Sequence, residues 1–192
     1  MKFFGGQVFN LPIEEALKRK FLVNYYYHPI FVYATAIEEQ NFEKQTQRII
    51  SCFRNKRCIN PDELVKAFNN GDISALVAIK CLDEGINIPS ITDALILSSN
   101  DDYREFVQRR GRILRLYGDK QCAHIYDVIV LPSPELKGWA EIEFRRYREY
   151  ARLAINAEAL LEQLNNEIAT YDINEEDLDV YDYENMEVEA DE

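Results

Sequence analysis

The chain has 192 residues, of which 47% are hydrophobic, and its 34 acidic and 22 basic side chains give a formal net charge of -12. This hydrophobic fraction excludes a disordered chain and predicts one globular domain, with or without an appendage. Eleven acids and no lysine or arginine lie in residues 172–192, so the other 171 residues carry 22 basic and 23 acidic side chains. The overall acidity therefore does not exclude nucleic-acid binding by the nearly neutral body.

Composition also argues against a metal centre and a membrane segment. The histidines His28 and His124 are distant in sequence, and no CxxC pair occurs among the cysteines, which are Cys52, Cys58, Cys81 and Cys122. Zinc sites need closely spaced ligand pairs, so no metal is expected and the cysteines are interpreted as reduced. No signal segment or apolar run of about 20 residues is present, which predicts a soluble cytoplasmic protein without a membrane partner.

The first elements in chain order are a helix and an aromatic run. Residues 8–20 (VFNLPIEEALKRK) predict a short helix with Asn10 as N-cap and acidic residues in its first turns. The run FLVNYYYHPIFVYATA contains Pro29, which cannot donate a ladder hydrogen bond. It predicts two short strands, or an edge strand followed by the buried strand Phe31–Ala36. Helices are predicted at Gln40–Arg54 and Asp62–Asn69.

Buried strands then alternate with helices. The predicted strands are Ala75–Ile79, Ala94–Ser98 and Ala123–Leu131, with a helix through REFVQRRG before the last. This order predicts an α/β fold, a parallel sheet with helices on both faces, whose ligands bind at the carboxyl ends of the strands. A long C-terminal helical segment is predicted for 134–171, with Gly138 and Asn156 as weak points, followed by an acidic disordered tail.

The arginines of QRRGRILR have a regular spacing. Arg109, Arg112 and Arg115 recur every three residues, so on a helix they would share one side, next to Gln108. A row of guanidinium groups suits phosphate oxygens, because each is a permanently charged fork. Gly111 would end the helix or admit a close neighbour. The alternative is an ordinary basic helix face, solvated or paired with acids.

These residues also carry a family resemblance. QRRGRILR (108–115) resembles motif VI of superfamily 2 helicases, and ALVAIKCLDEGINIPS (75–90) resembles their motif V. The order of motifs and strands is similar to the second RecA-like domain of the DEAD/DEAH-type group, in the branch of XPB-like and phage recombination helicases. The resemblance implies a connector at 1–24, a RecA-like domain at 25–132, a helical extension at 133–171 and a tail at 172–192.

The resemblance assigns roles to particular residues. It implies that Arg112 and Arg115 are arginine fingers that reach the γ-phosphate of ATP on a partner domain, and that Gln108 and Arg109 shape that interface. In motif V it implies that Glu84, Gly85 and Asn87 couple nucleotide to DNA. Asn87 stands where the family commonly has Asp. The asparagine keeps the acceptor oxygen but lacks the charge.

The chain contains no GxxxxGK[ST] sequence to cradle phosphates and no convincing Walker B acidic pair. The resemblance therefore implies an ATP-dependent DNA helicase or translocase half that uses ATP and Mg²⁺ only with a first RecA-like domain, in cis or in trans. An alternative is a non-catalytic module that binds DNA or protein. A third interpretation is an unrelated doubly wound domain that binds a phosphorylated ligand. Such domains use a glycine-rich turn, which this chain lacks.

The tail is either a solubilising extension or a competitor of DNA for a basic surface near Arg104, Arg109 and Arg110. Its acidity motivates the second interpretation, which predicts a salt-dependent effect on DNA binding.

Overall fold

The computed structural model describes residues 11–34, 61–76, 88–97 and 103–178. Their elements, in chain order, are α1 (Ile13–Lys18), β1 (Asn24–Tyr33), α2 (Pro61–Asn69), β2 (Asp93–Ile96), α3 (Tyr103–Ile113), β3 (Cys122–Leu131), α4 (Lys137–Ala151), α5 (Ala157–Thr170) and a 3-10 turn (Glu175–Leu178). The three strands form one parallel sheet in the order β1-β3-β2. The predicted RecA-like α/β fold with a parallel sheet and helices is confirmed.

Strand β3 lies between the other two strands. Its ten residues pair with all of β1, from Asn24 opposite Cys122 to Tyr33 opposite Leu131. Strand β2 is shorter and pairs only with residues 124–127 of β3. Every second residue of β3 is buried beneath α4, as expected for a strand whose side chains alternate between two faces.

Strand β1 is continuous through Pro29, so the prediction of two strands, or of a buried strand at Phe31–Ala36, is wrong. The backbone groups of Tyr25 and Tyr27 point away from β3, towards Ile155 and Asn156. Pro29 lies two residues further along and faces the same outer side, where its missing N–H removes no bond to β3. Proline is tolerated because β1 is an edge strand among the described residues.

The C-terminal helical segment is divided into α4 and α5 by a turn at residues 152–156. Asn156, predicted as a weak point, is where the chain re-enters a helix. Its side chain accepts a hydrogen bond from Tyr27 N (3.1 Å) and donates one to Tyr27 O (2.9 Å). Ile155 N donates to Tyr25 O at 2.8 Å. The turn thereby satisfies the outer edge of β1, which would otherwise expose unpaired backbone groups.

The core between the sheet and α4 is rich in aromatic residues. Tyr27 stacks on Tyr150 with ring centroids 5.5 Å apart and meets Tyr147 edge-on at the same distance. Phe144, on the same helix, is fully buried. Each such ring contributes about 1.5–3 kcal/mol through the hydrophobic effect. Helix α4 is therefore an integral layer of the domain.

The first residues of the acidic tail, 172–178, pack against the domain. Ile173 and Leu178 are buried in the core, and the 3-10 turn packs on α4. Ion pairs join Lys137 to Asp172 (3.2 Å) and Arg148 to Glu175 (3.7 Å). The segment predicted to be disordered from residue 172 thus begins with a packed stretch, and its residues 179–192 lie outside the described ranges.

Helix α2 forms as predicted and is followed by Gly71, whose φ of +80° suits a glycine after a helix. The predicted helix Gln40–Arg54 and most of the predicted strand Ala75–Ile79 lie outside the described residues. Within the described ranges, no helix has the length and apolar character needed to cross a membrane.

Candidate functional site

The arginine-rich sequence forms the second half of α3 and the segment just after it. In the chain, α3 follows β2 and precedes the central strand β3. Gln108 is exposed, whereas Arg109 and Arg112 are half-buried. These three residues lie on the predicted helix.

Arg115 lies beyond the end of α3, which differs from the predicted single helical row. The helix ends at Ile113, and Arg115 pairs with Leu22 in an isolated antiparallel bridge. Val23 N also donates to Leu114 O at 2.9 Å. Arg115 is exposed and lies outside the helix. Its backbone position is therefore set by pairing with the segment before β1.

Gly111 lies inside α3, two residues before its end. A Cβ atom built at this position would have no neighbour within 4 Å. Gly111 therefore does not end the helix, so that interpretation is wrong, and among the described residues no neighbour approaches it closely. The surface beside it is open.

Arg110 is buried, with 1% of its side chain exposed. Its guanidinium donates to the Glu149 carboxylate at 2.5 Å and to the Glu149 backbone oxygen at 2.6 Å. It also lies 5.5 Å from the centroid of the Tyr150 ring. The hypothesis that Arg110 belongs to a basic surface is therefore wrong, because its charge is neutralised inside the domain.

A second buried ion cluster lies between β3 and α4. Asp127 Oδ2 accepts hydrogen bonds from Tyr27 Oη (2.9 Å) and Arg146 Nε (3.1 Å). Arg146 also donates to Glu143 (2.8 Å) and to Val128 O (2.9 Å). Burial raises the pKa of Asp127, although the charge of Arg146 opposes that shift.

This cluster completes the edge of β3 where β2 ends. Strand β2 stops at Ile96, opposite Asp127. Beyond that point, the Val128 carbonyl accepts from Arg146, and the Val130 amide donates to Glu143 at 3.1 Å. Side chains of α4 thus substitute for a strand and satisfy backbone groups.

The sequence interpretation missed the ionic partners of α3 and β3, namely Asp127, Glu143, Arg146 and Glu149. One sequence feature could have indicated a buried ion pair. Asp127 is the only charged residue in the otherwise apolar and aromatic strand AHIYDVIVL. A buried carboxylate needs a paired cation. Nothing in the sequence indicates which arginine supplies it.

Three large apolar side chains surround Arg115. Phe21, Leu116 and Tyr117 have 56%, 54% and 52% of their surface exposed. The bridge between Leu22 and Arg115 brings Phe21 next to Leu116 across the paired segments. Large apolar side chains beside arginine are typical of the buried centre of a protein interface.

The motif V residues predicted to couple nucleotide to DNA, Glu84, Gly85 and Asn87, lie outside the described residues. Ile88, the first described residue after them, is buried. Ser90 then donates a hydrogen bond to Asn69, at the end of α2, at 2.6 Å.

The two histidines, distant in sequence, meet on the face of the sheet opposite α4. His28 Nε2 lies 3.1 Å from His124 Nδ1, and the rings stack between Tyr26 and Tyr126. Burial and the charge of His124 lower the pKa of His28. Among the described residues, no group of three or more His, Cys, Asp or Glu side chains is arranged to hold a metal ion.

Comparisons with known proteins identify one family model and two similar proteins. Residues 24–117 match the family model of the helicase conserved C-terminal domain. A stretch of 54 residues, 28% of this chain, is 37% identical to "DNA 3'-5' translocase XPB2" of Sulfurisphaera tokodaii. A stretch of 67 residues, 35% of the chain, is 30% identical to "Putative helicase 22" of Sulfolobus islandicus filamentous virus.

Each match covers 12% of the relative's length, so the chain corresponds to a small part of either protein. No solved structure matches the chain. The family match and the two relatives agree with the motif V and motif VI sequences and with the parallel sheet. The chain therefore contains, at residues 24–117, a helicase conserved C-terminal domain of the XPB-like superfamily 2 type.

Proposed function

We propose that this chain is the C-terminal half of an ATP-dependent DNA helicase or translocase, in which Arg112 and Arg115 act as arginine fingers. The observation that carries the proposal is the QRRGRILR sequence on α3 and the segment after it, next to a parallel sheet. A guanidinium is suited to this task because it keeps its charge and can bind two phosphate oxygens at once.

The catalytic partner in this proposal is a first RecA-like domain that holds ATP and Mg²⁺. The chain has no GxxxxGK[ST] sequence of its own. The apolar side chains around Arg115 (Phe21, Leu116 and Tyr117) provide a surface on which such a domain would dock. Gln108 and Arg109 contribute to the same interface, and Glu84, Gly85 and Asn87 couple it to DNA.

The chemistry follows from the charge that develops during phosphoryl transfer. A guanidinium held at the γ-phosphate stabilises that charge in the transition state, which is worth about 10³–10⁵ in turnover for arginine fingers in general. The arginines then contribute little when the partner domain is absent. DNA as the substrate is supported by the relative named a DNA translocase.

The test is an ATPase assay on three samples, each with and without DNA: this chain, a first RecA-like domain bearing GxxxxGK[ST], and their mixture. We expect DNA-stimulated turnover only in the mixture. DNA-stimulated hydrolysis by the chain alone would contradict the proposal that a separate first RecA-like domain must hold the ATP. DNA or partner binding by the mixture without any turnover would instead favour a non-catalytic binding module.

A further inference from the structure

The pair of Arg110 and Glu149 is a buried polar link between α3 and α4. Both contacts from the Arg110 guanidinium, at 2.5 Å to the Glu149 carboxylate and 2.6 Å to its backbone oxygen, are short. The side chains are 1% and 8% exposed, so water screens the pair weakly. Two contacts to one residue fix both the position and the orientation of the guanidinium.

Glu149 is itself held from a second side. Arg152 donates to its two carboxylate oxygens at 2.8 and 3.1 Å. Tyr25 Oη donates to Tyr150 O at 2.6 Å, which anchors this turn of α4 to strand β1. The carboxylate that receives Arg110 is thus fixed by α4 and the sheet together.

The rotation of α3 about its axis follows from this anchor. Successive residues of an α-helix are separated by about 100°, so holding Arg110 determines the directions of its neighbours Arg109 and Arg112. The anchor also lies one turn before Leu114, whose carbonyl pairs with Val23 next to the Arg115 bridge. One buried contact therefore bears directly on Arg109 and Arg112, and on Arg115 only through the adjoining bridge.

We infer that Glu149 is a positioning residue for the arginines of α3, so that the C-terminal helix α4 controls the alignment of Arg112 and, through the bridge that adjoins the helix end, influences Arg115. The inference rests on the proposed function for its catalytic consequence. Glu149 lies outside the segment 24–117 that matches the helicase family model, whereas Arg110 lies inside it. The contact therefore links the motif VI sequence to a residue outside the matched segment.

The first test measures amide hydrogen exchange in the full chain, comparing wild type with Glu149→Gln. Glutamine keeps the shape of the side chain and removes its charge. We expect the amides of residues 106–113 to exchange at least about 10-fold faster, with a much smaller change in β3. Equal acceleration in both elements, or none in α3, would overturn the inference.

Asn156→Ala is the matched structural control. It removes two hydrogen bonds to β1 without touching α3, and it should cost stability without selectively loosening residues 106–113. Arg110→Lys is the second variant, because it keeps the buried charge but lacks the planar fork that spans the carboxylate and the backbone oxygen of Glu149. It should reproduce the exchange pattern of Glu149→Gln.

The second test uses the mixture with the first RecA-like domain. Glu149→Gln should lower kcat at least about 10-fold with the KM for ATP nearly unchanged, since misalignment affects the transition state more than ground-state binding. Asn156→Ala should retain kcat. Equal kcat losses in both variants would contradict a positioning role. If the wild-type mixture fails to hydrolyse ATP, the proposed function fails, and hydrogen exchange still decides the inference about alignment.

Discussion

Helix α3 uses the same residue type differently on its two sides. On the inner side, Arg110 is buried and bound to Glu149 of α4. On the outer side, Arg112 is half-buried, and Arg115, just after the helix, is exposed beside apolar residues. Arg146 of α4 repeats the inner arrangement with Asp127. Neighbouring arginines in one motif thus differ in burial, because Arg110 meets a carboxylate inside the domain whereas Arg112 and Arg115 keep part of their surface exposed.

The largest effect is expected for the outer arginines. In the mixture with a first RecA-like domain, Arg112→Ala or Arg115→Ala should lower ATP turnover by about 10³-fold or more, because each removes charge stabilisation in the transition state. The melting temperature of the chain should change little. Arg115→Lys should not restore turnover, since lysine is a point charge without a planar fork. Wild-type rates for Arg115→Lys would assign this arginine to structure or solvent.

The inner arginines should affect stability instead. Arg146→Leu leaves Asp127 and Glu143 buried without their cation and should cost about 3–5 kcal/mol of unfolding free energy. Denaturant unfolding followed by circular dichroism measures this loss. Arg145→Leu is the control on the same helix: its ion pair with Glu141 is longer, at 3.7 Å, and less buried, so its cost should stay below about 1 kcal/mol. Similar losses in both variants would contradict the comparison.

Gly111 tests whether the outer side of α3 is reserved for a partner. Gly111→Ala should stabilise the isolated chain by about 0.5–1 kcal/mol, because alanine favours the helix and meets no atom within 4 Å. In the mixture, the same variant should lower turnover if the partner domain approaches the helix there. Thermal unfolding and the ATPase assay together give the answer. Unchanged turnover would mean that the partner leaves this position open.

The smallest effect is expected at the histidine pair, away from both sets of arginines. Because the pKa of His28 is lowered in the folded state, the unfolded state binds more protons below about pH 7. His28 therefore makes the free energy of unfolding decrease as the pH falls below about 7. His28 faces His124 and the rings of Tyr26 and Tyr126, and Asp93 partly opposes the shift.

His28→Phe keeps an aromatic ring and removes the titration. Its melting temperature should therefore decline less than that of wild type between about pH 7.5 and pH 5. Thermal scans at matched ionic strength compare the two proteins. Parallel declines would show that His28 does not contribute.

The features that depend on local pattern were predictable from the amino-acid sequence alone. Alternating apolar strands and helices predicted the parallel α/β sheet, and Gly71 marked the end of α2. The motif V and motif VI sequences predicted the family that the comparisons identify. Such features are readable because strand and helix periodicity and short motifs involve residues close together in the chain.

Which charged side chains are buried depends on the three-dimensional fold. Arg110 and Glu149 are 39 positions apart, and Asp127 and Arg146 are 19 apart, so no local pattern reports their pairing. The same holds for Asn156, whose bonds to Tyr27 divide the C-terminal helices and complete the edge of β1. An arginine is buried only where folding brings a carboxylate to it from a distant element, because its charge is too costly to bury alone.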